Sequence, residues 1–179
     1  MNDHTIIDKL YQDNTELIKF LEKQGEISML SNIDDQFRKV LVLCVSSYFE
    51  SIIKDTLIDF AKKQSQNAEA LVEFLKNKAI ERQYHTYFQW DSANCNAFFG
   101  LFGKNFKEYI NSETNSNDEF TMSVKAFIEL GGIRNKLIHN NLTTFYLEKT
   151  SEEIYSLYKS ALVFIDTFRQ KLYLYSDKR

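Results

Sequence analysis

Residues 131–141 read GGIRNKLIHNN, and this stretch decides how the rest of the chain is interpreted. Apolar residues lead into it at the three- and four-residue spacing of a helix that buries one face: Val124, Phe127, Ile128, Leu130, Ile133 and Leu137. We therefore predict a buried helix over about residues 119–139. Near its end this helix carries three polar residues that are suited to chemistry: Arg134, Asn135 and His139.

The spacing of these three residues limits how they can share a site. A helix turns by about 100° per residue, so Asn135 and His139 point to nearly the same side. Arg134 lies about 140° around the helix from His139. For both to act in one site, either the last turn of the helix must distort or a second chain must complete the site. The following Asn140-Asn141 favours a distorted end, because asparagine tolerates the left-handed conformation that closes helices.

The rest of the chain also favours helices. It has 179 residues, no proline and only five glycines, which is typical of long helices rather than of a many-stranded sheet. We predict one all-α domain over residues 1–179, a bundle of about five main helices with additional short helices. The tail 176–179 is expected to fray. Helices besides the one above are expected over about residues 3–24, 31–63, 70–78, 91–103 and 150–175.

Local signals predict several helix ends. Ser31 and Asp91 are predicted N-caps. Thr150 with Glu153 three residues later has the pattern of a capping box. The polar run NSETNSND at residues 111–118 is predicted to be a loop.

Two apolar regions are expected to form the core. Residues 40–45 are apolar on all sides of their helix, which predicts the most buried part of the domain. Aromatic residues crowd between Tyr84 and Tyr109, and at helical spacing they favour a core over a base-stacking platform. His85 lies among them, and we interpret it as a structural histidine rather than as a ligand-facing one.

Charge and composition narrow the class of protein. The net charge is −3 and the pI about 5.7, so no overall positive field attracts nucleic acid, although a small basic cleft is compatible with these values. Cys44 and Cys95 are interpreted as reduced core residues. Neither a signal-peptide pattern nor an apolar window of about 18 residues is present. We therefore expect a soluble, cytoplasmic protein without a membrane segment.

Common catalytic motifs are missing from the sequence. Neither of the glycine-rich phosphate-binding loops occurs, and no HExxH or CxxC pattern is found. We accordingly predict no cofactor and no metal site. The set Arg134, Asn135 and His139 remains as the candidate catalytic group.

That set suits metal-independent cleavage of RNA. A histidine transfers protons near neutral pH, and an arginine binds two phosphate oxygens and stabilises the charge of the transition state. Asn135 orients His139 or donates to the phosphate. Glu50, on the predicted long helix, is either a solvated carboxylate or a group that orients the arginine or the histidine. In the alternative, structural interpretation, Arg134 pairs with a carboxylate such as Glu50 and His139 only stabilises the helix end.

The arrangement of these segments resembles the HEPN superfamily, and most closely its RiboL-PSP-HEPN branch. The resemblance rests on R-N-x-x-x-H at the end of a helix and on the order of the segments around it, over about residues 30–175. Those segments are Ser47-Tyr48-Phe49-Glu50, then Trp90…Phe98-Phe99-Gly100…Phe102-Gly103, then Leu130…Ile133-Arg134-Asn135…His139, and a final amphipathic helix.

The resemblance implies an endoribonuclease that acts as a homodimer, with a composite active site at the interface. It implies RNA as substrate, products with 2′,3′-cyclic phosphate and 5′-hydroxyl ends, and a role in a toxin–antitoxin or anti-phage system with an antitoxin or another regulatory protein as partner. HEPN toxins that are silenced by modification commonly have a tyrosine two residues after the histidine. Here that residue is Asn141, so we expect control by another route. The alternative function is a non-catalytic helical module for interaction or dimerisation.

Overall fold

The computed structural model describes residues 5–177, and these contain seven α-helices and no strand. A π-helical turn, Lys76–Ile80, follows α3, and a 3-10 turn, Tyr84–Thr86, precedes α4. Five of the helices have twelve or more residues, so the predicted all-α bundle is confirmed. The helices are α1 (Ile6–Gln24), α2 (Ile27–Gln64), α3 (Glu69–Leu75), α4 (Asn96–Gly100), α5 (Lys104–Asn115), α6 (Asp118–His139) and α7 (Ser151–Asp177).

The helix ends follow local chemistry in some places. The predicted capping box of α7 is present: the Thr150 backbone N–H donates to Glu153 Oε2 at 2.8 Å, and the Glu153 N–H donates to Thr150 Oγ1 at 3.2 Å. α7 then continues to Asp177, so the first two residues of the predicted tail are helical, and residues 178–179 of that tail lie outside the described residues. Lys63 of α2 pairs with Asp177 at 2.8 Å, which holds this end of α7.

Two predicted N-caps are wrong. α2 begins at Ile27, one turn before Ser31, because the chain reverses at Gly25 in the left-handed conformation (φ 74°) and enters α2 directly. Asp91 does not cap a helix, since α4 begins only at Asn96. Residues 89–95 instead form turns, in which Asn94 Oδ1 accepts from the Asn96 N–H at 2.9 Å.

The predicted loop at residues 111–118 is almost entirely helical. α5 continues to Asn115, and only two residues separate it from α6. Contacts with other helices stabilise these polar turns: Lys171 of α7 pairs with Glu113, and Thr121 Oγ1 of α6 donates to the Thr114 carbonyl at 2.7 Å. Tertiary contacts therefore outweigh the loop propensity of the sequence.

The core lies where α6 packs against α7 and α2. Phe127 of α6 stands between Phe164 of α7, with ring centroids 4.7 Å apart, and Phe49 of α2, at 5.7 Å. All three side chains are at most 2% exposed. Most aromatic residues of the region between Tyr84 and Tyr109 are buried as well, so that region belongs to the core, as predicted: Tyr84, Tyr87, Phe88, Phe98, Phe99 and Phe106. Residues 40–45 are less uniformly buried than predicted, because Val40 is 45% exposed.

A buried carboxylate ties α1 to α7. Asp8 is 5% exposed and accepts hydrogen bonds from the Thr5 N–H (2.7 Å), the Thr5 hydroxyl (2.9 Å), the Tyr155 hydroxyl (2.7 Å) and Lys159 Nζ (3.3 Å). Burial alone would raise the pKa of Asp8. The hydrogen bonds from Thr5, Tyr155 and Lys159 outweigh this effect and hold the pKa of Asp8 below its ordinary value.

We expect Asp8→Asn to lower the free energy of unfolding by about 1–3 kcal/mol at pH 7, because it leaves buried donors without a charged acceptor. Since the folded-state pKa is lowered, this contribution is complete above the ordinary aspartate pKa of about 3.9 and is lost as the pH falls through the folded pKa. Urea unfolding at neutral and acidic pH measures it. The exposed Asp13→Asn in the same helix is the control, and a gap that persists below about pH 2 would contradict the assignment.

Candidate active site

A cavity of about 160 Å³ opens between α2, α6 and the segment 84–90. Its α6 wall includes Arg134 and Asn135, and its α2 wall includes Glu50, so three of the four residues singled out from the sequence face one cavity. The remaining lining residues are Leu43, Ser46, Ser47, Phe49, Tyr84, His85, Trp90, Phe127, Leu130, Gly131 and Ile138. His139 is not among them.

Arg134 is half-buried in this cavity, and its contacts are with neutral polar groups. Its Nη1 donates to Asn135 Oδ1 at 3.3 Å, and its Nη1 and Nη2 lie 3.4 Å and 3.5 Å from the two ring nitrogens of His85. Within residues 5–177, no carboxylate lies within ion-pair distance of Arg134. The structural interpretation in which Arg134 pairs with Glu50 is therefore wrong, and among the described residues the guanidinium has no carboxylate partner.

Glu50 has a different partner. Its Oε1 lies 2.6 Å from Lys54 Nζ, one turn further along α2, and Lys54 also approaches Glu81 at 3.7 Å. The carboxylate is thus neither freely solvated nor bonded to Arg134. Partial burial and the charge of Arg134 lower the pKa of the neighbouring His85, and the charge of Glu50 opposes this lowering.

His139 is exposed at the last position of α6, and in the described part of the chain its side chain makes no hydrogen bond. The expected left-handed end is not found, because Asn140 is extended (φ −112°, ψ 168°) and its side-chain amide donates to the Lys136 carbonyl at 2.7 Å. α6 therefore stays regular through His139. Arg134 and His139 keep their separation around the helix, so distortion does not bring them together within one chain.

His85 is the residue whose position the sequence analysis missed. The structure places it beside Arg134 in the cavity, although 49 positions separate the two in sequence. Partial burial lowers the pKa of His85, as do the charges of Arg134 and Lys54, while Glu50 opposes them. No local sequence pattern predicts that His85 lies beside Arg134, because His85 lies in a single 3-10 turn without periodicity.

The paired glycines of the opening stretch have a packing role. The ring of Trp90 lies directly on Gly131, where a Cβ atom would overlap it, and a Cβ atom on Gly132 would come within 2.9 Å of the Trp90 carbonyl oxygen. Trp90 Nε1 also donates to the His85 carbonyl at 3.2 Å. The glycines thus let the segment 84–90 approach α6 closely. This close approach holds His85 opposite Arg134.

Two further properties bear on the site. In the described ranges, no group of three or more His, Cys, Asp or Glu side chains is arranged to hold a metal ion. None of the helices described is both long and apolar enough to cross a bilayer.

An all-helical bundle whose central helix ends in R-N-x-x-x-H has the architecture of a HEPN domain. The model of the RiboL-PSP-HEPN family matches residues 8–173, which is nearly the whole chain, and the chain belongs to that family. HEPN domains often bind RNA and dimerise. No curated protein and no solved structure matches the chain significantly.

We expect Gly131→Ala to displace Trp90 from α6, because the added methyl group overlaps the indole ring. The overlap should cost about 1–3 kcal/mol of unfolding free energy. Trp90 is the only tryptophan, so intrinsic fluorescence reports its displacement directly as a shift to longer wavelength. Gly100→Ala is the control, since nothing lies within 4 Å of a Cβ atom there. Unchanged fluorescence in Gly131→Ala would contradict this packing role.

Proposed function

We propose that this protein is a metal-independent endoribonuclease that leaves 2′,3′-cyclic phosphate and 5′-hydroxyl ends. Arg134 binds and stabilises the phosphate, His139 transfers a proton and Asn135 supports both. The observation that carries the proposal is the guanidinium of Arg134, which is half-buried and faces the cavity. Among the described residues, no carboxylate pairs with this guanidinium. A cation in that position attracts an anionic ligand, and a phosphate diester fits its two-pronged geometry.

We propose further that the site is composite and forms at a homodimer interface. His139 does not line the cavity of its own chain, so the His139 imidazole that acts next to Arg134 comes from a second chain. Exposed apolar side chains near the cavity support an interface there. Ile138 is 48% exposed and Val40 45%, and Leu43, one turn beyond Val40, lines the cavity with Ile138.

A groove on the other side of Asn135 offers a path for the RNA strand. It is lined by Lys125, Lys136 and Lys149 together with the aromatic rings of Trp90, Phe145 and Tyr146, and Asn135 and Trp90 also line the cavity. Tyr146 is 74% exposed, which leaves its ring free to stack on a base. Asp91, Glu129 and Glu148 also line this groove, and Lys149 pairs with Glu129 at 2.8 Å, so Lys125 and Lys136 are the lysines that remain for phosphate contacts.

A toxin or anti-phage role is the cellular function we infer for such an enzyme. Cleavage of cellular RNA that needs no metal and no cofactor harms the cell that makes it unless another protein restrains it. An antitoxin or a regulatory protein is therefore the expected partner. Asn141 stands where a modifiable tyrosine would lie, so that partner would act by binding or by another chemistry.

We expect the purified protein to cleave cellular RNA in EDTA, and both Arg134→Ala and His139→Ala to reduce cleavage by about 10²-fold or more. The cyclic phosphate ends are identified by end-group analysis, and expression of the wild type, but not of the variants, should stop growth. Arg169→Ala, an exposed arginine on α7, is the matched control. Cleavage that is equal in the wild type and in His139→Ala would indicate a contaminant. If neither the wild type nor any variant cuts RNA, a non-catalytic interaction module is the better description of this protein.

The composite site has its own test, in which the two inactive variants are mixed. If each site takes Arg134 from one chain and His139 from the other, the heterodimer of Arg134→Ala with His139→Ala contains one intact site. After exchange of subunits the mixture should regain about a quarter of the wild-type activity, because about half of the dimers are mixed and each has one working site. Sedimentation checks that dimers form. A mixture that stays inactive although its dimers have exchanged would place both residues of a site in one chain.

A further inference from the structure

Arg134 contacts both ring nitrogens of His85 at hydrogen-bond distance. Nη1 lies 3.4 Å from Nδ1 and Nη2 lies 3.5 Å from Nε2. A neutral imidazole has one N–H and one lone pair, so it accepts from the arginine through one nitrogen. Both ring nitrogens of His85 therefore lie in the cavity, beside the guanidinium that would hold the substrate phosphate.

The backbone of His85 is anchored while its side chain stays accessible. Trp90 Nε1 donates to the His85 carbonyl at 3.2 Å, and the buried Tyr84 ring meets the imidazole edge-on, with centroids 5.7 Å apart. The residue itself is exposed and lines the cavity. A fixed imidazole that opens onto the cavity beside a phosphate-binding arginine is arranged for chemistry.

The environment of His85 favours its neutral form. Partial burial, Arg134 and Lys54 all lower the pKa of His85, and Glu50 counteracts them only in part. A neutral imidazole accepts a proton.

We propose that His85 is a further catalytic residue of the site: the general base that activates the attacking 2′-hydroxyl. This role rests on the proposed ribonuclease function. It divides the proton transfers between two imidazoles, with His85 beside Arg134 of the same chain and His139 contributed by the second chain.

The reaction balances with these two groups. His85 takes the proton of the ribose 2′-hydroxyl, the 2′-oxygen bonds to phosphorus, and the bond between phosphorus and the 5′-oxygen breaks. Protonated His139 gives its proton to the departing 5′-oxygen. The products are a 2′,3′-cyclic phosphate and a 5′-hydroxyl, and the two imidazoles recover their starting protonation states by exchange with solvent.

A substrate with a changed leaving group separates the base from the acid. RNA with sulfur in place of the bridging 5′-oxygen at a mapped cleavage site needs no proton on its leaving group. On ordinary RNA we expect His85→Ala and His139→Ala each to be slower by about 10²–10⁴-fold. On the sulfur substrate His139→Ala should recover to near the wild-type rate, while His85→Ala stays impaired.

Added imidazole distinguishes a missing base from a misplaced arginine. It should raise the rate of His85→Ala at least tenfold on both substrates and leave Arg134→Ala unchanged, because only the first variant lacks a proton acceptor. Thr86→Ala is the control. This exposed neighbour bonds only to Gln83 in the same turn, and its loss should leave the rate unchanged. Circular dichroism checks that each variant is folded.

Several outcomes would overturn the assignment. Wild-type rates in His85→Ala would remove His85 from the reaction and leave the ribonuclease proposal standing. Recovery of His85→Ala on the sulfur substrate would make His85 the acid, and a lack of imidazole rescue would reduce it to a residue that positions Arg134. If the wild type cleaves neither substrate, the ribonuclease proposal fails, and the role of His85 fails with it.

Discussion

The packing of Trp90 on Gly131 is the contact on which the candidate site depends. Because no side chain stands at Gly131, the indole lies directly on α6 and brings the segment 84–90 against that helix. The same indole bonds to the His85 carbonyl. The buried helix, the aromatic core and the cavity therefore meet at one place. α6 thus supplies Arg134, and its surface at Gly131 also positions His85 through the packing of Trp90.

The electrostatics of the cavity follow from which charges are paired. Glu50 is bonded to Lys54, so it modifies the field in the cavity without neutralising Arg134. Arg134 instead contacts an imidazole and an amide, which leave its charge without a carboxylate partner. A site of this kind favours anions locally, while the net charge of −3 gives the whole chain no such preference.

Predictions of helices and helix ends from the sequence were correct where the signal was local. The long apolar period predicted α6, and the Thr150–Glu153 pair predicted the start of α7, because both signals are complete within a few turns of chain. The loop at 111–118 was wrong because contacts with α6 and α7 decided the structure there. The N-caps at Ser31 and Asp91 were wrong because α2 begins earlier, after the turn at Gly25, and α4 begins later, at Asn96. The order of motifs was enough to indicate the family, since it records the whole chain rather than any one segment.

The sequence by itself determined the helical class, the central helix and the position of Arg134, Asn135 and His139 on it. Helical periodicity and capping act between residues about three or four apart, so they can be read directly from the sequence. Only the tertiary structure decided that His85 lies against Arg134, that Glu50 pairs elsewhere and that His139 does not line the cavity. The first of these contacts joins residues 49 positions apart, and the packing of Trp90 on α6 brings them together.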